Sequence, residues 1–223
     1  MNDILLESRN LGVLLIHGFT SSPDQMKPFG EELTKHGITC FIPMLTGHEK
    51  IPDSLTNVKN GDWFNDAERA FEQLRSKTKN VIVAGHSLGG TLSLYLAERH
   101  SLNDGLIALC LINPAIKLTV EERRAIRFGR FYQKRLGVSV KPFQVLKNTI
   151  DDVRSRLNRI TVPVFMFISN KDELIPFAYQ QWLFNKLNVP KYFVTLPEEG
   201  HSPSSKAAAF IINSFLELSN VVL

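Results

Sequence analysis

A chain of 223 residues with 43% hydrophobic and 22% charged side chains has the size and composition of one globular domain, which excludes a disordered or repetitive protein. The net charge of +4 is modest, so no nucleic-acid partner is expected. Cys40 and Cys110 lie in the apolar runs ITCFI and IALCLI and read as buried reduced thiols, and no cluster has metal-ligand spacing, so neither metal nor organic cofactor is expected.

The first ten residues, MNDILLESRN, lack a basic stretch followed by an apolar core, and no apolar run approaches membrane-spanning length. The expectation is a soluble, cytoplasmic protein. The first apolar run, 13–16, predicts a buried strand leading into His17-Gly18-Phe19-Thr20-Ser21-Ser22-Pro23, with Ser22 or Asp24 placed to cap the helix that follows. That helix covers 25–36 and stops at Gly37. A strand over 38–42 precedes Pro43-Met44-Leu45-Thr46-Gly47-His48. Trp63, Phe64, Ala67, Ala70, Phe71 and Leu74 recur at helical spacing and predict a helix over 63–77. Further strands are predicted at 81–84, 107–112, 164–168 and 192–196, and further helices at 88–98, 177–187 and 204–218.

These strands are continuous apolar runs rather than alternating ones, as in a parallel sheet covered on both faces. Their alternation with helices predicts an α/β fold with a mostly parallel central sheet. One segment interrupts the pattern. Between Pro114 and Lys147 stand nine Lys and Arg residues against Glu121 and Glu122, a local charge of +7 that leaves −3 for the rest of the chain. Residues 115–147 are therefore read as a small, basic, helical insertion into a core made of 1–114 and 148–223.

The chemistry centres on Gly85-His86-Ser87-Leu88-Gly89, which satisfies G-x-S-x-G, follows a buried strand, opens a helix and continues with Gly90. In that context the serine occupies a strained turn that projects its hydroxyl, and flanking glycines let neighbouring chain pass close by. A serine hydroxyl needs a base, and the base needs an orienting acid. Of six histidines, His36 and His100 lie at helix C-terminal ends and read as surface residues, His17 and His86 sit in glycine motifs and read as structural, and His48 is ambiguous. His201 follows the last predicted strand and is the expected base. Asp172 follows the strand over 164–168 and is the expected orienter, with its neighbour Glu173 left open. The N–H groups of Leu88 and Phe19 are the expected oxyanion donors.

With these motifs, and with Asn170-Lys171-Asp172-Glu173-Leu174-Ile175-Pro176 and Gly200-His201-Ser202, nearly the whole chain resembles the α/β-hydrolase superfamily, in particular its small-lid bacterial carboxylesterases and monoacylglycerol lipases. The resemblance implies the α/β-hydrolase fold with a small helical lid over 115–147, Ser87 as nucleophile, His201 as base, Asp172 as orienter, and Phe19 and Leu88 as backbone donors. It implies hydrolysis of a small-molecule acyl ester without a cofactor. The sequence departs from the family at Glu49, where His48 is usually followed by glycine. Phe19, His86, Phe128 and Phe131 are expected to line the substrate pocket, Phe128 and Phe131 as part of an apolar lid face with Tyr132 and Leu136. The basic lid suits weak association with anionic lipid or an anionic ligand. A thioesterase acting on coenzyme A derivatives, or a non-catalytic binding protein on the same fold, are the alternative readings. Oligomeric state is not legible in the sequence.

Overall fold

The structure, a computed structural model, describes residues 4–6, 11–50, 54–118 and 139–222. Six strands run parallel: β2 (Leu11–Ile16), β3 (Thr39–Ile42), β4 (Asn80–His86), β5 (Leu106–Ile112), β6 (Val164–Ser169) and β7 (Lys191–Leu196). A short strand that the sequence reading did not anticipate, β1 (Ile4–Leu6), adds an antiparallel edge by pairing Ile4 with Ile42 and Leu6 with Cys40. The spatial order is β1-β3-β2-β4-β5-β6-β7, so β4 lies at the centre of the sheet.

The strands β2 to β6 bury both faces, which explains their unbroken apolar runs, while the edge strand β7 is mostly half-buried. Leu14 and Ile16 point to one side and pack with α2 (Asp62–Arg75), α3 (Leu88–Arg99), α4 (Lys141–Arg154) and α5 (Phe177–Lys186). Val13 and Leu15 point to the other and pack with α1 (Lys27–Lys35) and α6 (Ser205–Val222). Each such fully buried side chain contributes about 1.5–3 kcal/mol. Both cysteines are free and buried within this core, as the sequence predicts. Among the described residues, no helix is long and apolar enough to cross a membrane.

Three local expectations change. No side chain caps α1, because a 3-10 turn over Pro23–Gln25 intervenes between Ser22 and the helix. His100 is not a bare surface residue: its Nε2 lies 2.7 Å from Glu68 Oε2, and its ring stacks on Phe71 at 4.4 Å. The helix α4 begins at Lys141 and runs through residue 147, where the boundary of the basic insertion was expected. Of that insertion, residues 119–138, and with them Phe128, Phe131, Tyr132 and Leu136, lie outside the described residues.

Candidate active site

The loops that matter all leave the C-terminal ends of strands. The one after β4 makes a tight turn. A Cβ on Gly89 would sit 1.9 Å from the Ile16 carbonyl oxygen, one on Gly85 2.2 Å from the Gly89 carbonyl, and one on Gly90 2.7 Å from Pro114 Cβ. Glycine is needed here for close approach of backbone to backbone. Between them Ser87 is held at φ 53°, ψ −114°, a conformation L residues rarely adopt. Hydrogen bonds clamp it there: its N–H donates to the Ile112 carbonyl at 3.0 Å, and its own carbonyl accepts from Thr91 at 3.2 Å and Ala115 at 2.9 Å.

After β7 the chain returns to this turn. His201 is buried, and its Nδ1 lies 2.8 Å from Asp172 Oδ2, with the Asp172 side chain only 1% exposed. Asp172 Oδ1 accepts the N–H groups of Leu174 and Ile175 at 2.9 and 2.8 Å, which fixes the carboxylate. Glu173 takes a different position, accepting the backbone N–H of His201 at 3.3 Å. The geometry thus separates the two adjacent acids: Asp172 meets the imidazole and Glu173 the main chain.

His86 cannot substitute for His201. Its Nε2 donates to the His201 carbonyl at 2.7 Å, and its Nδ1 has no partner among the described residues. Burial, reinforced by the neighbouring His201, pushes its pKa down to about 4, so it stays neutral. Its ring lies 4.8 Å from that of His201 and lines the same cavity.

On the facing loop, Phe19 follows β2. Gln25 Oε1 accepts the Gly18 N–H at 2.9 Å, and Thr20 takes a positive φ of 59°, a strained position for a β-branched residue. The Phe19 ring is boxed edge-on by His48, Trp63 and Phe143 at 6.3, 5.9 and 5.4 Å. Beneath it His17 is completely buried and driven to a pKa of about 3 by desolvation. Its Nδ1 donates to the Gly18 carbonyl at 3.0 Å, leaving Nε2 to accept the Leu45 N–H at 3.4 Å. Among the described residues, no hydrogen bond takes up the N–H of Phe19 or of Leu88. Two free donors therefore flank the serine turn.

These residues surround a cavity of about 440 Å³, lined by Phe19, His86, Ser87 and His201 together with Leu118, Phe143, Leu146 and Ile175. A model of the alpha/beta hydrolase family matches residues 13–211. The chain belongs to the α/β-hydrolase family. Over 187 residues, 76% of its length and 74% of the relative's, the hydrolase is 29% identical to the thermostable monoacylglycerol lipase of Bacillus sp. (strain H-257). It is 28% identical to the carboxylesterase of Bacillus subtilis (strain 168), over 85% of its length and 83% of the relative's. Its fold matches the structure described for LipS and LipT, two metagenome-derived lipolytic enzymes, with a TM-score of 0.87 at 22% identity, covering 97% of this chain and 96% of that one. With these relatives it is an α/β hydrolase of the esterase and lipase type.

Two residues that hold the hydrolase's site were given no role from the sequence. Asn113, at φ 43° and fully buried, donates to Ser169 Oγ at 2.9 Å and to the His201 carbonyl at 2.8 Å, and accepts the Ser169 N–H at 2.8 Å. It pins the His201 loop to the ends of β5 and β6. His48, left ambiguous by the sequence, is buried against Phe19 and Trp63, with Nδ1 3.2 Å from the Thr46 carbonyl. The signal for Asn113 was its place directly after a buried strand, in a position that requires the left-handed backbone asparagine tolerates.

Proposed function

We propose that the hydrolase cleaves carboxylic esters, of short- to medium-chain acids or of monoacylglycerol-like lipids, through a Ser87–His201–Asp172 triad and an acyl-enzyme. The observation that carries the reading is His201 Nδ1 at 2.8 Å from Asp172, in a cavity shared with the strained Ser87. Asp172 accepts a hydrogen bond from Nδ1–H, which leaves Nε2 as the base. Ser87 Oγ attacks the ester carbonyl as Nε2 removes its proton, and the carbonyl oxygen becomes an oxyanion held by the N–H groups of Phe19 and Leu88. The helix α3 starts at Leu88, so its N-terminal end adds a favourable dipole there. His201 then protonates the leaving alcohol. In the second half it takes a proton from water, which attacks the acyl-serine and releases the acid and free Ser87.

The apolar lining of Phe19, Leu118, Phe143, Leu146 and Ile175 suits an acyl chain. Residues 115–147 are proposed to act as the lid, with Phe128 and Phe131 completing this wall. The reading is tested on 4-nitrophenyl butyrate and monobutyrin. Ser87→Ala is expected to lower kcat by about a thousandfold or more, and a fluorophosphonate is expected to label wild-type protein on Ser87 alone. Unchanged hydrolysis in folded Ser87→Ala protein overturns the reading.

A further inference from the structure

One formally charged side chain lines the catalytic cavity among the described residues, and it is cationic. Lys117 shares that wall with Leu118 and Ala115, and no Asp or Glu lines the cavity beside it. Lys117 also lines a second cavity of about 260 Å³, formed with Ile116, Arg154, Ala178, Tyr179 and Trp182. Lys117 is therefore a wall common to both cavities. In the second one the cations are arranged over aromatic rings. Lys117 Nζ lies 4.6 Å from the centre of the Tyr179 ring, and Arg154 Cζ lies 5.0 Å from that of Trp182. Lys186 approaches the same indole at 5.9 Å.

A cation laid on a ring is steered in position, yet its charge is not neutralised, because the ring carries a quadrupole and no net charge. Among the described residues, Lys117 has no carboxylate partner, and Arg154 has Asp151 at 3.5 Å, whose carboxylate does not line the second cavity. Among the described residues the pair thus gives the second cavity a positive wall, with Lys117 shared between it and the chamber that holds Ser87. A neutral acyl chain has no use for such a groove, whereas an oxyacid group on the substrate would gain charge-assisted hydrogen bonds in it.

We propose that this groove is a subsite for an anionic group, carboxylate or phosphate, carried by the ester substrate, with Lys117 as the selecting residue and Arg154 as its second contact. The proposal rests on the esterase reading above and deepens it: the preferred substrates are esters bearing a second, anionic oxyacid group.

The test compares two matched pairs of esters. The anion is on the acyl side in mono-4-nitrophenyl glutarate against 4-nitrophenyl pentanoate, and on the alcohol side in 1-butyrylglycerol 3-phosphate against monobutyrin. The expected result is a higher kcat/KM for the anionic member of at least one pair, carried by KM and reduced by salt. Which pair responds distinguishes an acyl-side carboxylate from an alcohol-side phosphate. The anionic-to-neutral ratio is expected to fall about tenfold in Lys117→Met and to be largely kept in Lys117→Arg. Binding is measured separately in Ser87→Ala protein, where no turnover is needed. Monomethyl glutarate or glycerol 3-phosphate is expected to change the tryptophan emission, and Trp182→Phe to remove that change, since Trp182 lines the groove and Trp63, the other tryptophan, does not. Neutral esters preferred in both pairs, with ratios unmoved by Lys117→Met, overturn the proposal even where esterase activity is high. In a protein that hydrolyses none of the four, loss of the esterase reading is distinguished by the binding result: a Trp182-dependent response supports the groove, and its absence overturns it.

Discussion

The serine turn and the Lys117–Trp182 groove are neighbours built on opposite principles. At the turn, the side chains of Ser87, Asn113, Asp172 and His201 are buried and fixed by hydrogen bonds of 2.7–3.4 Å, many of them to backbone. In the groove, Lys117, Arg154 and Trp182 are half-buried and meet through ring faces at 4.6–5.0 Å. The first arrangement has one solution and tolerates no change of shape, as chemistry at a strained serine requires. The second sets charge and outline with little geometric constraint, so it can be altered without harming the fold.

Acid should open this gap widest. His86 and His17 are held neutral, with pKa values lowered from 6.5 to about 4 and about 3. A histidine with a depressed folded-state pKa contributes stability that is intact above the unfolded value and lost as pH falls. Unfolding free energy measured in denaturant is therefore expected to hold above pH 6.5 and to drop between pH 6.5 and about 3, on the order of 3 kcal/mol per histidine. A flat profile over that range would remove the turn's claim to be a dry site. Gly89→Ala comes next: its Cβ meets the Ile16 carbonyl at 1.9 Å, backbone against backbone, and about 3 kcal/mol of stability should go with nearly all activity. Thermal unfolding and fluorophosphonate labelling check it. Asn113→Ala strands the buried Ser169 N–H, removes the donor to Ser169 Oγ and the His201 carbonyl, and places alanine at φ 43°. About 2 kcal/mol is expected, with kcat falling more than KM rises, because the His201 loop loosens. Arg154→Gln, in the groove, should change stability by less than about 1 kcal/mol. A larger loss there would show that the groove is as rigid as the turn.

Much of this molecule was legible in its residues. The parallel core announced itself because strands covered on both faces have no polar alternation to obscure them. Ser87, Asp172 and His201 could be aligned because each closes a strand, and topology brings parallel strand ends together. β1 was missed because three residues, Ile4–Leu6, carry too little pattern, and their pairing with β3 is a tertiary choice. Asn113 escaped because its partners, Ser169 and His201, are 56 and 88 residues away and no local motif records such bonds. The start of α4 was hidden by the basic composition around it, although Val145, Leu146, Ile150 and Val153 form its buried stripe.

Asn113, Ala115 and Lys117 occupy alternate positions in the short stretch leaving β5. The first ties down the His201 loop, the second donates to the Ser87 carbonyl, and the third stands in the wall common to both cavities. Five consecutive residues therefore act as a ruler that sets the proposed catalytic site and the proposed anion subsite in one register. A substitution at Lys117 edits one mark on it. Deleting a single residue between Asn113 and Lys117 shifts every mark beyond the cut, which makes this stretch the place where point changes are permitted and changes of length are not.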